Sequence, residues 1–118
     1  MAKVYAIHEI ALHPGVTPED FERFVAQATL AQLPGVEIHF LKGDRGARAG
    51  QFAYLIAIDS VERREELFPV AGASEPTSPE VAEYLGSEAT RQLMEQWSAL
   101  GSTPGGEDTV YTDYVVVK

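Results

Sequence analysis

Breaks made of proline and glycine cut this chain into strand-like and helix-like segments, and their order limits the fold more than any single residue does. Lys3 to Leu12 reads as a strand, with the β-formers Val4, Tyr5, Ile7 and Ile10. His13-Pro14-Gly15 ends it as a turn. Thr17-Pro18-Glu19-Asp20 then opens a helix. Thr17 suits the cap, Pro18 the first helical position, and the two acids the positive end of the helix dipole. Phe21, Phe24, Val25, Ala28 and Gln32 share one helical stripe, with Leu33 close to it, and Pro34-Gly35 stops the helix.

Val36 to Lys42 reads as a second strand and Gln51 to Asp59 as a third, joined by the glycine-rich loop Gly43 to Gly50. Ser60 is placed to cap a short helix through Phe68, and Pro69 to Pro76 reads as a loop. Thr77-Ser78-Pro79-Glu80 resembles a capping box with proline inside it. The helix after it is expected to run unbroken to about Leu100, with Val81, Leu85, Ala89, Leu93 and Trp97 at steps of four. A loop from Gly101 to Asp108 leads to a closing strand, Thr109 to Val117.

The order β-α-β-β-α-β predicts one α+β domain over residues 1–118: a ferredoxin-like, four-stranded antiparallel sheet with helices on one face. The other face is then uncovered. Strands one, three and four carry apolar residues at both parities, so that face cannot be fully polar. A second copy of the chain is the simplest cover, and the expectation is a homodimer.

Composition removes several functions. With 118 residues the chain is long enough to bury roughly 65% of its unfolded surface without covalent staples. It has no cysteine, which excludes disulfide scaffolds, thiolate metal sites and thiol nucleophiles. A net charge of −9 opposes binding to nucleic acid or to an anionic membrane. The first twelve residues lack the unbroken apolar stretch of a signal peptide, and no run approaches the roughly 20 apolar residues of a membrane span. The expected location is the cytoplasm.

The chain resembles the dimeric α+β barrel superfamily. The residues that carry the likeness are Ala11-Leu12-His13-Pro14-Gly15 at the end of strand one, the acid-led helix with Phe21 and Phe24, and Leu33-Pro34-Gly35 before strand two. Asp59-Ser60-Val61-Glu62 after strand three and the closing Tyr111-Thr112-Asp113-Tyr114 complete it. The superfamily includes antibiotic-biosynthesis monooxygenases, haem-degrading monooxygenases, muconolactone isomerases, stress-responsive barrel proteins and NIPSNAP-like proteins. The resemblance implies a homodimeric α/β barrel with a small-molecule pocket, but no one reaction. Against the haem-degrading branch, His8 stands where an Asn is expected and Ile58 where a Trp is expected, and no His follows His39. Haem degradation is therefore rejected, and no cofactor is expected.

The candidate site begins with His8. It shares its strand face with Val4, Ala6 and Ile10, and at matching parity with Phe52, Tyr54, Ile56 and Ile58. The small opposite face of strand three, Ala53, Leu55 and Ala57, is read as the side against the helices, which would put His8 and Tyr54 in the barrel pocket. An imidazole beside a phenol in an apolar cavity suits a general base or an orienting donor. The alternative is a hydrogen-bonded histidine in a dimer core. Glu9 falls on the opposite face, helix-facing on this reading, where a solvated edge or an arginine partner is expected.

His39, Phe52 and Trp97 are candidate ligand contacts, although Trp97 also fits simple core packing. His8 and His39 do not have metal-ligand spacing, and no metal is expected. Lys42, Arg45 and Arg48 in the Lys42–Gly50 loop form a positive cluster that an anion could use. The loop is neither a Walker loop nor a dinucleotide fingerprint. Its alternative is a β-hairpin loop in which Gly43 and Gly46 supply positive φ and arginine pairs with Asp44. Together these features describe a small-ligand-binding barrel protein or a cofactor-independent enzyme, a monooxygenase, isomerase or decarboxylase of a small aromatic or polyketide-like compound. In the enzyme reading His8 is the base and Tyr54 the orienting donor.

Overall fold

The computed structural model describes residues 2–28, 33–70, 78–102 and 111–118. The first strand, β1 (Val4–Leu12), leads into α1 (Pro18–Gln27), followed by the hairpin of β2 (Val36–Lys42) and β3 (Phe52–Ile58). Three helices come next: α2 (Val61–Leu67), α3 (Pro79–Gly86) and α4 (Glu88–Leu100). Two short strands close the chain, β4 (Gly101–Ser102) and β5 (Tyr111–Val115).

The helix starts follow their capping chemistry. Thr17 accepts from the Asp20 amide at 3.1 Å and its own amide donates to the Asp20 carboxylate at 3.1 Å. This reciprocal pair satisfies two otherwise orphaned donors. Ser60 caps α2 and Ser78 caps α3, and Pro79 stands at the first position of α3. The second long helix is not continuous as expected. Ser87 ends α3 and starts α4, with extended backbone (φ −65°, ψ 147°). Its hydroxyl donates to the Tyr84 carbonyl at 2.9 Å and accepts from the Thr90 amide at 3.3 Å. A side chain that satisfies backbone groups on both sides stabilises the interruption that a four-residue periodicity runs straight through.

The sheet is antiparallel throughout, and β1 lies inside it. Along one edge β1 pairs with β3, and β3 with β2. Along the other edge β1 pairs with β4 at Ala11 and Leu12 and with β5 from Val4 to His8. The sheet is therefore four strands across, with the last position filled in two pieces. The expected closing strand begins at Tyr111, and its Thr109 and Val110 lie outside the described residues. Gly101 is required at the first piece, because a Cβ there would stand 2.7 Å from the Ala11 carbonyl oxygen.

Register fixes which residues share a face. One face carries the rows Val36–Ile58–Val4–Val115, Ile38–Ile56–Ala6–Asp113, Phe40–Tyr54–His8–Tyr111 and Lys42–Phe52–Ile10. The helices pack on this face. Ile10 and Phe52 form a buried cluster with Phe21 and Phe24 of α1, bordered by Phe40, Tyr54, Leu93 and Trp97. The Phe21 ring lies 4.5 Å from Phe52 and 5.7 Å from Trp97. This reverses the expected parity: the helices meet the aromatic side of β3, and Ala53, Leu55 and Ala57 lie on the open side. Phe21 and Phe24 need large apolar partners, and Phe40 and Phe52 supply them.

The open face carries Tyr5, Ile7, Leu41, Ala53, Leu55 and Tyr114, with Glu9, Glu37 and His39 among them. Tyr114 is 57% exposed and Leu41 38%. Elsewhere, Arg63 of α2 gathers three segments. Its guanidinium donates to both carboxylate oxygens of Glu80 in α3, to the Pro34 carbonyl before β2, and to Glu66 on its own helix. Among the described residues no helix is long and apolar enough to cross a membrane.

Candidate functional site

His8 and Tyr54 are brought together, but on the helix-facing side. They are direct cross-strand partners, and their rings stack in parallel with centroids 4.4 Å apart and planes 5° from parallel. Phe40 extends the row from β2, with its ring 6.5 Å from Tyr54. Neither His8 nor Tyr54 is fully buried. Burial holds the imidazole below its ordinary pKa of 6.5, and the negative charge of Asp113 works against that shift. Burial likewise raises the Tyr54 phenol above 10.0, so it remains a protonated donor at neutral pH. The pair thus presents a neutral base and a hydroxyl at the edges of two stacked rings.

Phe52 and Trp97 belong to the aromatic cluster beside this pair. Phe52 is 5% exposed, and the Trp97 ring rests against Phe21 and Phe24. Lys42 lies 5.9 Å over the Phe52 ring and pairs with Glu22 at 3.2 Å. A shallow, open concavity of about 330 Å³ borders Phe52 on the side of Leu12, Arg48 and Gly50.

His39 does not join them. It pairs with Leu55 in the ladder, which places it on the open face, exposed, with Nε2 3.5 Å from Glu37. The sheet itself separates it from His8, and among the described residues no three side chains of metal-binding type converge. His13 is exposed, and it contacts the end of α4, with Nε2 2.9 Å from the Ser98 carbonyl oxygen.

Arg45 and Arg48 do not converge on an anion. Arg45 is 96% exposed, with Asp44 at 3.9 Å. Arg48 folds back on the sheet instead. Its Nη1 lies 2.7 Å from Glu9 and 2.8 Å from the Gln51 side chain, and its Nη2 donates to the Phe52 carbonyl at 2.8 Å. Glu9 thus has the arginine partner anticipated for it, on the open face rather than against the helices. Of the two glycines expected to supply positive φ, Gly46 does so and Gly43 does not. Gly46 and Gly50 have positive φ, whereas Gly43 is needed for space, since a Cβ there would meet the Arg48 carbonyl oxygen at 2.0 Å.

Asp113 of the closing strand is a further charged residue near the pair. Its partner is Arg64 of α2, at 3.4 Å, and both stand on the His8 side of the sheet. The signal was present: β2 is apolar on the Val36, Ile38 and Phe40 side, so that side must meet the helices. Hairpin pairing of Phe40 with Tyr54 then carries His8 to the same side.

No family model matches the chain, and no curated protein matches it. Among solved structures it is similar to At3g17210 from Arabidopsis thaliana, at 15% sequence identity and a TM-score of 0.44. The match covers 100% of this chain and 97% of that one.

Proposed function

We propose that this protein binds a small, planar organic ligand at His8 and Tyr54, and that its protomer is of the ferredoxin-like type and pairs into a dimeric barrel. The observation that carries the reading is the parallel stack of the two rings, 4.4 Å apart and only partly buried. The stacked rings leave their polar edges, a neutral imidazole and a phenol hydroxyl, among apolar neighbours, and this complements a small planar molecule with a polar substituent. Phe40, Phe52 and Trp97 supply the apolar surroundings, while His39, Arg45 and Arg48 take no part.

Native mass spectrometry of the freshly purified protein, followed by NMR titration with a panel of small phenols, tests this. The expected result is a retained ligand or a saturable shift of His8 and Tyr54 signals. His8→Ala is expected to weaken the best binder by about tenfold, the loss of one good polar contact. Equal binding by wild type and His8→Ala would remove the site from consideration.

A second reading, a cofactor-independent monooxygenase, isomerase or decarboxylase of a small aromatic or polyketide-like compound, is favoured by one observation. The lowered proton affinity of His8 leaves the imidazole unprotonated at neutral pH, the form a general base requires. Turnover of a bound phenol with an acid-limb pH dependence that vanishes in His8→Ala distinguishes this reading from binding alone.

A further inference from the structure

We propose that Asp113 is the positioning residue of the His8 site: it is the counter-charge that sets how readily His8 takes a proton, and Arg64 holds it and moderates it. This rests on reading His8 as the functional imidazole. The geometry comes from the ladder. Tyr111 stands opposite His8 and Asp113 opposite Ala6, so Asp113 is the diagonal neighbour of His8 on the same face of the sheet. Diagonal neighbours lie roughly 7–8 Å apart, within reach of a ring on one side and a carboxylate on the other.

The Asp113 side chain is 31% exposed, so water screens its charge only in part. Arg64 closes the chain of charges. Its Nη1 lies 3.4 Å from Asp113 Oδ2, and its Nη2 donates to Glu65 at 3.1 Å. At 22% exposure the guanidinium is itself mostly covered. Tyr54 from β3 stacks on His8, Asp113 from β5 is its diagonal neighbour, and Arg64 of α2 reaches it through Asp113.

The chemical effect has a definite direction. A proton accepted by His8 makes an imidazolium, which the carboxylate stabilises. Arg64 withdraws part of that stabilisation by neutralising the same carboxylate. Burial keeps the resting imidazole neutral, while Asp113 makes its protonated form accessible once a ligand delivers a proton.

The test is a pH titration of the assigned His8 ring signals by NMR in the ligand-free, full-length protein. Asp113→Asn is expected to lower the His8 midpoint by about half a pH unit or more, the size of one charge at that separation. Arg64→Gln is expected to raise it. Asp113→Glu keeps the charge and is expected to stay near wild type. An unmoved His8 midpoint in Asp113→Asn overturns the proposal, and so does an equal shift in the Glu and Asn variants, which would mean that side-chain shape matters and charge does not. Because the readout needs no ligand, a correct shift with no binding to any phenol would sink the ligand reading alone.

Discussion

At the scale of the residue, His8 links the candidate site to stability. Its folded-state proton affinity is depressed by burial, below the ordinary 6.5. The unfolded chain therefore takes up a proton there first. The stability associated with the neutral imidazole is present above about pH 6.5 and is lost as pH falls through the lower, folded value. Urea unfolding at about pH 7.5 and about pH 5.5 is expected to show a drop in midpoint for wild type and a smaller drop for His8→Gln. The capping acid Asp20 and the Arg63 partner Glu80 are also depressed, from 3.8 and 4.5, by bonds to Thr17 and Arg63 respectively. Their contributions are lost only at more acidic pH and do not enter that comparison.

At the scale of the element, legibility depended on whether the signal was local. The caps at Thr17, Ser60 and Ser78 were readable because a hydroxyl and an acid sit within four residues of one another, with proline at the first helical position after Thr17 and Ser78. The break at Ser87 was not, since Val81, Leu85, Ala89 and Leu93 keep a helical spacing across it. Ala89 lies exposed, and Thr90 takes the buried position instead. The face of β3 was misread because its residues are apolar at both parities, and only its pairing with β2 decides between them. The pairing of His8 with Tyr54 survived that error, because register preserves partners whichever way the face points. The β2–β3 loop offers a direct check. Gly43→Ala puts a methyl against the Arg48 carbonyl and is expected to cost roughly 1–3 kcal/mol of stability, measured by chemical denaturation. Loosened Arg48 would leave Glu9 without its partner on the open face.

At the scale of the whole molecule, the open face is the feature that most needs a second body. Tyr5, Ile7, Ala53, Leu55 and Tyr114 form an apolar field on the side of the sheet away from the helices. Association of two copies through this face would have to overcome a charge of −9 on each. A dimer by analytical ultracentrifugation, tighter in about 0.5 M salt than at low salt, is the expected outcome. Leu55→Lys, central in that field, is expected to give a folded monomer. A wild-type monomer under all conditions would remove the barrel from consideration.

The fork of Arg63 has a consequence for how such a molecule loosens. One guanidinium ties the carbonyl of Pro34, the helix that carries it and the first turn of α3, three places far apart in the chain. Opening any one of them gives up a charge-assisted hydrogen bond of the same side chain. The hairpin edge and the α2–α3 side of the protein are thereby linked, and their amide exchange is expected to slow or quicken together when Arg63 is kept or replaced.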